Sequence, residues 1–353
     1  MSQVRLDVHE VPTANGINGE MQALYIALKT VGENVPFATL MGIAGLAFRL
    51  YWHVGKEEDG SAGQWSESSL EACTGMHPLY MACQWIGWSY SAYNENTLDE
   101  MYELAKASIV RGIPALTRGP VAEPIPALFV GYYEEDTRKL DVINKHAGNQ
   151  VTSLEIPMVD LPLLEYGHWR NPVFIVDRGE TVPEEMHEPL LMEAFGRCAE
   201  ALHAPDLDGG RWIGGVKVYE RIAEDLSSME RLNKVWPGFE GTDHEDDMRV
   251  YFLHDFLSEV GRARGTAYEF LDTYIDQYPI EKVARGYEKV YELYQELREI
   301  FPDPNEDYAA AHKALFDESS RNEMAEILKK MAAKESKAAE LMEKKIGEMM
   351  SFE

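Results

Sequence analysis

The stretch Asn15–Gly32, NGINGEMQALYIALKTVG, joins a glycine-bearing turn to an apolar run, an arrangement that sets a side chain at a helix N-terminus. Glu20 stands at that point. A carboxylate is favoured near the positive end of a helix, so Glu20 reads as a capping charge or, if desolvated, as a general base or an acceptor for a polar ligand. Lys145 is a candidate cation for a ligand site shared with it, and Arg118, in TRGPV, offers a planar fork for a carboxylate or phosphate or is a solvated loop arginine. His53 and His77 are alternative bases, or hydrogen-bonded structural histidines. Cys73 or Cys83, with His77 or His53, would make a relocated nucleophile and base. With Cys198 they make an odd set of three, as suits buried thiols of a cytoplasmic protein better than a disulfide framework. Cys73, His77 and Cys83 do not have the spacing of a zinc finger, and no metal or cofactor is expected.

Aromatic residues crowd the same region: Trp52, Trp65, Tyr80, Trp85, Trp88, Tyr90 and Tyr93. Core packing accounts for most of such a supply. Trp52, Trp85 and Trp88 are the candidates to line a groove for a flat apolar or cationic ligand. In the run His244–Asp247 a solvated loop or helix start outweighs a metal site, and His254 and Asp255, adjacent in sequence, point apart on a helix.

The elements that must position these groups follow from periodicity. Met21, Leu24, Tyr25 and Leu28 share one helical face, and Gly32 ends that helix. VPFATLMGIAGLAFRLYWHVG reads as a second helix packed closely on the first, and Lys56–Ser69 as a surface loop. Thr97 with Glu100 forms a capping-box signature, and Gly112 marks the end of the helix it opens. IPALTRG, ALFVGYYEE, LDVINKH and FIVDRG then read as strands of an antiparallel sheet. The expected architecture is an α+β domain over residues 1–180 and an all-helical domain over 181–353. In the latter, Val283, Tyr287, Val290, Tyr291, Tyr294, Leu297 and Phe301 form one stripe. A last helix from about Ser319 to Met350 carries a near-heptad of methionines and small residues broken by Glu335; it packs across its domain or pairs with its copy in a homodimer.

A net charge of −28 opposes nucleic acid and anionic membranes, and no run of about 18 apolar residues occurs. Neither class of partner is expected.

The order of elements resembles a known family over roughly residues 10 to 180. A glycine-bearing turn into a helix, RGIPALTRGPV, PALFVGYYEEDTRKLDVINKH and an aromatic-rich tail are similar to the papain-like fold, notably the bacteriocin-processing peptidase-like proteins and the N-terminal domain of butirosin-biosynthesis acyltransferases. GGVKVYERIAEDL and VARGYEKVYELYQELREIF resemble helices of the domain that follows in the acyltransferase-like proteins. The resemblance implies a cysteine at the helix start, a histidine opening a strand and an orienting residue on the next strand. Those positions fall at Gly19 (or Glu20), Ile125 and Asn144 (or Lys145), so the triad is absent. No cysteine, serine or histidine lies between Pro12 and Thr30. The expectation is a non-catalytic homologue that binds a small molecule or a carrier-bound peptide in the former active-site cleft.

Overall fold

The computed structural model describes residues 2–8, 10, 16–53, 78–94, 96–118, 126–134, 138–144, 152–155, 165–166, 169–170, 173–179, 184–206, 210, 212–235 and 247–351. In chain order its first elements are β1 (Ser2–Arg5), α1 (Gly16–Thr30), α2 (Phe37–Ile43), β2 (Tyr51–His53), α3 (Pro78–Ile86), β3 (Trp88–Tyr93), α4 (Leu98–Val110), β4 (Ala115–Arg118), β5 (Pro126–Glu134), β6 (Arg138–Ile143) and β7 (Thr152–Glu155). There follow β8 (Glu165–Tyr166), β9 (Trp169–Arg170), β10 (Val173–Arg178), α5 (Glu184–Glu200), β11 (Trp212–Gly214), α6 (Lys217–Leu226), α7 (Met229–Val235), α8 (Met248–Asp272), α9 (Glu281–Ile300), α10 (Pro304–Phe316) and α11 (Glu318–Met350). The protein is α+β, an antiparallel sheet with helices and then a helical region. No described helix is long and apolar enough to cross a membrane.

Two compact units divide the chain, one of Met1–Ala44 with His77–Leu190, the other of Gly45–Met76 with Leu191–Glu353. The boundary drawn at residue 180 therefore stands at Leu190, and the segment opening at Gly45 counts with the second unit.

The first unit is built on a sheet ordered β3-β10-β4-β5-β6-β7, with β1 also on β5. β5 shifts register between Phe129 and Gly131; β4 pairs with it before the shift and β1 after it. Alternation along the strands splits the apolar residues between two faces. Ala115, Ala127, Phe129, Val142 and Val173 pack with Met101, Tyr102, Ala105 and Ile109 of α4. Leu116 and Leu128 alternate with these, and α1 packs on β4 and β5. α4 opens with the expected capping box: Thr97 Oγ1 accepts from Glu100 N–H, and the Glu100 carboxylate accepts from Thr97 N–H. Gly32 (φ 85°) and Gly112 (φ 83°) follow the ends of α1 and α4 in the left-handed region that favours glycine.

The single helix expected from VPFATLMGIAGLAFRLYWHVG is instead α2, a turn and β2. Gly45 has φ 74°, a conformation a helix interior does not take, and a Cβ there would lie 2.5 Å from the Arg197 side chain. Local apolar pattern does not register that turn. Lys56–Ser69 lies outside the described residues.

Among its described residues the second unit is mainly helical, with one ribbon in which β2 pairs with β11. α9 packs on α8 and α11, and α11 also on α6 and α10. The α9 stripe is inward: Val283, Tyr287, Val290 and Leu297 are buried and Phe301 follows them into the core. On α11, Met324, Leu328 and Met331 lie in the core of the second unit, and Ala338 and Met342 are also buried, so these residues of the near-heptad are already covered within the chain. Glu335 is buried with them.

Candidate functional site

α1 buries Met21, Leu24 and Leu28, each contributing about 1.5–3 kcal/mol by removal from water. That face sets the direction of Glu20, one turn into the helix and 2 % exposed. Glu20 is thus not the capping charge that its position in the sequence suggested. On β4, Arg118 alternates with Thr117 and shares a face with Leu116, so its side chain reaches α1 and pairs with the Glu20 carboxylate.

Register brings three strand ends to the same place. Arg118 pairs with Pro126, the first residue of β5, and Leu128 pairs with Ile143, the last of β6. Asn144, the next residue, is buried. Gly19, in the first turn of α1, is also buried. At the other end of α1, Arg178 of β10 donates to Val31 O at 3.1 Å and faces Glu33. The helix therefore runs along the sheet with its N-terminal half toward the end that holds Arg118 and Asn144. Three expected positions, Gly19 with Glu20, Arg118 and Asn144, share this sheet end.

The electrostatics at Glu20 are those of an incompletely satisfied buried carboxylate. Arg118 meets Oε1, whereas Oε2 has no hydrogen-bond partner among the described residues. Burial pushes the carboxyl above its ordinary pKa of 4.5, against the Arg118 guanidinium, which pulls it down.

Other expected residues go elsewhere. Ile125 and Lys145 lie outside the described residues, as do Trp65, Cys73, His77, His244, Glu245 and Asp246. His53 has a described backbone in β2, but its side chain is outside. Trp52 is no groove residue: it is 1 % exposed in the core of the second unit, edge-on to Phe256 with ring centres 5.5 Å apart. Trp88 pairs in register with Arg178, at the end of the sheet away from Arg118, and is buried. Trp85 is partly exposed and stacks on His187 at 4.8 Å. Strand pairing, invisible to an aromatic count, puts Trp88 at the sheet end away from Arg118.

Cys83 is buried in α3, and desolvation pushes its thiol up to about 12. Cys198 is buried in the second unit and stands at about 12, raised by burial although the bond to Tyr287 pulls the other way. Neither holds thiolate at neutral pH. Among the described residues no group of three or more His, Cys, Asp or Glu could hold a metal ion. Asp247 caps α8 and accepts from Arg249 N–H and Nε–H. His254 faces Asp303 at 3.7 Å and Ser258 Oγ at 3.4 Å.

Sequence reasoning missed the most heavily bonded polar group of the second unit. The Arg264 Nη2–H donates to Glu335 Oε1 at 2.5 Å and Nε–H to Oε2 at 2.9 Å. Tyr219 O–H donates to Oε2 at 2.7 Å, and Arg264 Nη1 donates to the carbonyls of Ala47 and Arg49. Both charged side chains are fully buried. Burial pulls the guanidinium down, but the Glu335 carboxylate outweighs it and holds it above its ordinary range. The available signal was the charged residue at a heptad position of α11.

No protein-family model matches the chain, and no curated protein matches it.

Proposed function

We propose that the first unit is a papain-like domain, similar to the butirosin-biosynthesis acyltransferase N-terminal domain and the bacteriocin-processing peptidase-like proteins, that has lost its triad and binds a small molecule or carrier-bound peptide. The observation that carries this reading is the pairing of Gly19, where the thiolate would stand, with a buried Glu20 whose second oxygen is unused. A buried carboxylate oxygen without a donor is uncommon in folded proteins, because its desolvation is uncompensated. The relocated-nucleophile alternative has less support, since Cys83 is buried and its thiol stands near 12. A homodimer through the last helix is also less supported, because the central apolar residues of α11 are already buried. The proposed setting is cytoplasmic, consistent with free Cys83 and Cys198.

The test uses the full chain and an N-acetylcysteamine thioester of a short peptide, a mimic of a carrier-bound substrate. Hydrogen exchange should slow in α1, at 115–118 and in β6 on its addition, and a thiol-reactive dye should register no release of free thiol. Thioester cleavage above the buffer rate would establish catalysis and overturn the proposal, as would binding with protection confined to the second unit.

A further inference from the structure

Glu20 Oε1 is occupied by Arg118, while Oε2 is sealed from solvent and has no donor among the described residues, in a side chain only 3 % exposed. Resting on the binding role proposed above, we infer that the ligand group taken by this oxygen is an uncharged hydrogen-bond donor, an amide N–H or a hydroxyl, and not an ammonium. Three features point that way. The Glu20–Arg118 pair is already neutral in sum, so an ammonium at Oε2 adds a third charge that Arg118 repels across the same carboxylate. Oε2 itself is out of contact with solvent, and stripping an ammonium of its hydration to reach a buried oxygen is costly. The start of α1 adds a partial positive charge of its own. An uncharged N–H or O–H meets none of these penalties and still forms a charge-assisted bond to the carboxylate.

Because Oε2 is covered, the ligand reaches it only when the side chain or its cover shifts, and association is expected to be slow relative to encounter. A peptide carries suitable N–H groups along its backbone, which links the donor requirement to the carrier-bound peptide named above.

Matched probes that differ only in acetylation test the inference: putrescine against N,N′-diacetylputrescine, and glycinamide against N-acetylglycinamide. Each is titrated into the full chain labelled with 13C at the glutamate carboxyls. The acetylated member of each pair should bind about tenfold more tightly or better and should shift the Glu20 carboxyl resonance. In Glu20→Gln, checked for folding by near-ultraviolet circular dichroism, the preference should vanish. The carboxyl shift is read on the wild-type chain, so the outcome stands even where the variant does not fold. An equal or opposite preference overturns the inference; if the amine binds and Glu20→Gln abolishes it, the ligand class is wrong but the site survives. No binding by any of the four probes overturns the inference, and the binding role falls with it only if the peptide thioester also fails to bind.

Discussion

Each unit contains an arginine–glutamate pair with a buried carboxylate, and the two are finished differently. Glu335 uses both oxygens, accepting from Arg264 and Tyr219, while Arg264 also binds two backbone carbonyls. Glu20 meets Arg118 through one oxygen and leaves the other without a donor. A saturated buried pair is a structural tie, since each polar atom lost from water has been given a substitute. An unsaturated one keeps a demand for a donor that the described residues do not meet. The same two residue types thus complete each other's bonding in the second unit and, in the first, leave one carboxylate oxygen without a donor among the described residues.

The largest effect that could break this contrast comes from opening the saturated pair. Glu335→Ala leaves Arg264 charged and fully buried, and the urea transition should lose about 3–5 kcal/mol. Replacing both, Glu335→Leu with Arg264→Met, should recover most of that loss, because no uncompensated charge remains. If the single and double variants are equally unstable, the network holds the fold by its shape and the contrast with Glu20 fails. Glu20→Gln should cost far less, about 1 kcal/mol or below, because Arg118 is 21 % exposed and can turn to water.

Thiol alkylation sharpens the comparison unit by unit. Cys83 and Cys198 should each react with iodoacetamide far more slowly than free cysteine at neutral pH, since burial holds both near 12. Glu335→Gln should speed Cys198, which bonds to Tyr287 at 3.5 Å in the second unit, and leave Cys83 in the first unit unchanged. Equal acceleration of both would mean that the two units open together.

A third, smaller effect is the pH dependence of the Glu20 contribution. Burial raises the folded-state pKa of this carboxyl above 4.5, so the folded chain binds the extra proton. Its contribution to stability should therefore fall as pH rises from about 4.5 through the folded-state pKa, and return on acidification. The difference in urea midpoint between wild type and Glu20→Gln should follow that slope. A difference that grows with pH would show Arg118 outweighing burial and would make this pair resemble its counterpart. On probe binding the expected effect is nil in a control: Thr97→Ala removes the α4 capping box in the first unit, costs about 1 kcal/mol of stability, and leaves binding unchanged.

Much of the architecture was legible from local pattern. The stripe of α9, the start and end of α11, the capping box at Thr97, the glycines after α1 and α4 and the four main strands all rest on interactions between near neighbours, which periodicity records. The candidate site was legible in its members but not in its bonding. Gly19, Glu20, Arg118 and Asn144 could be named from the sequence, yet Glu20 read as a cap and Lys145 as its partner.

The sequence by itself determined the long helices α1, α4, α9 and α11, the four main strands and the apolar stripe of α9, because these depend on residue type and spacing along a few turns. Only the tertiary structure decided that Glu335 fills a core position by meeting an arginine 71 residues away, that Gly45 turns the chain where a helix was expected, and that Trp52 belongs to the second core. It also decided that Arg118 claims one oxygen of Glu20 and leaves the other. The physical reason is common to all four. Burial and pairing of a charge depend on which distant segment returns to cover it, and no local spacing encodes that return.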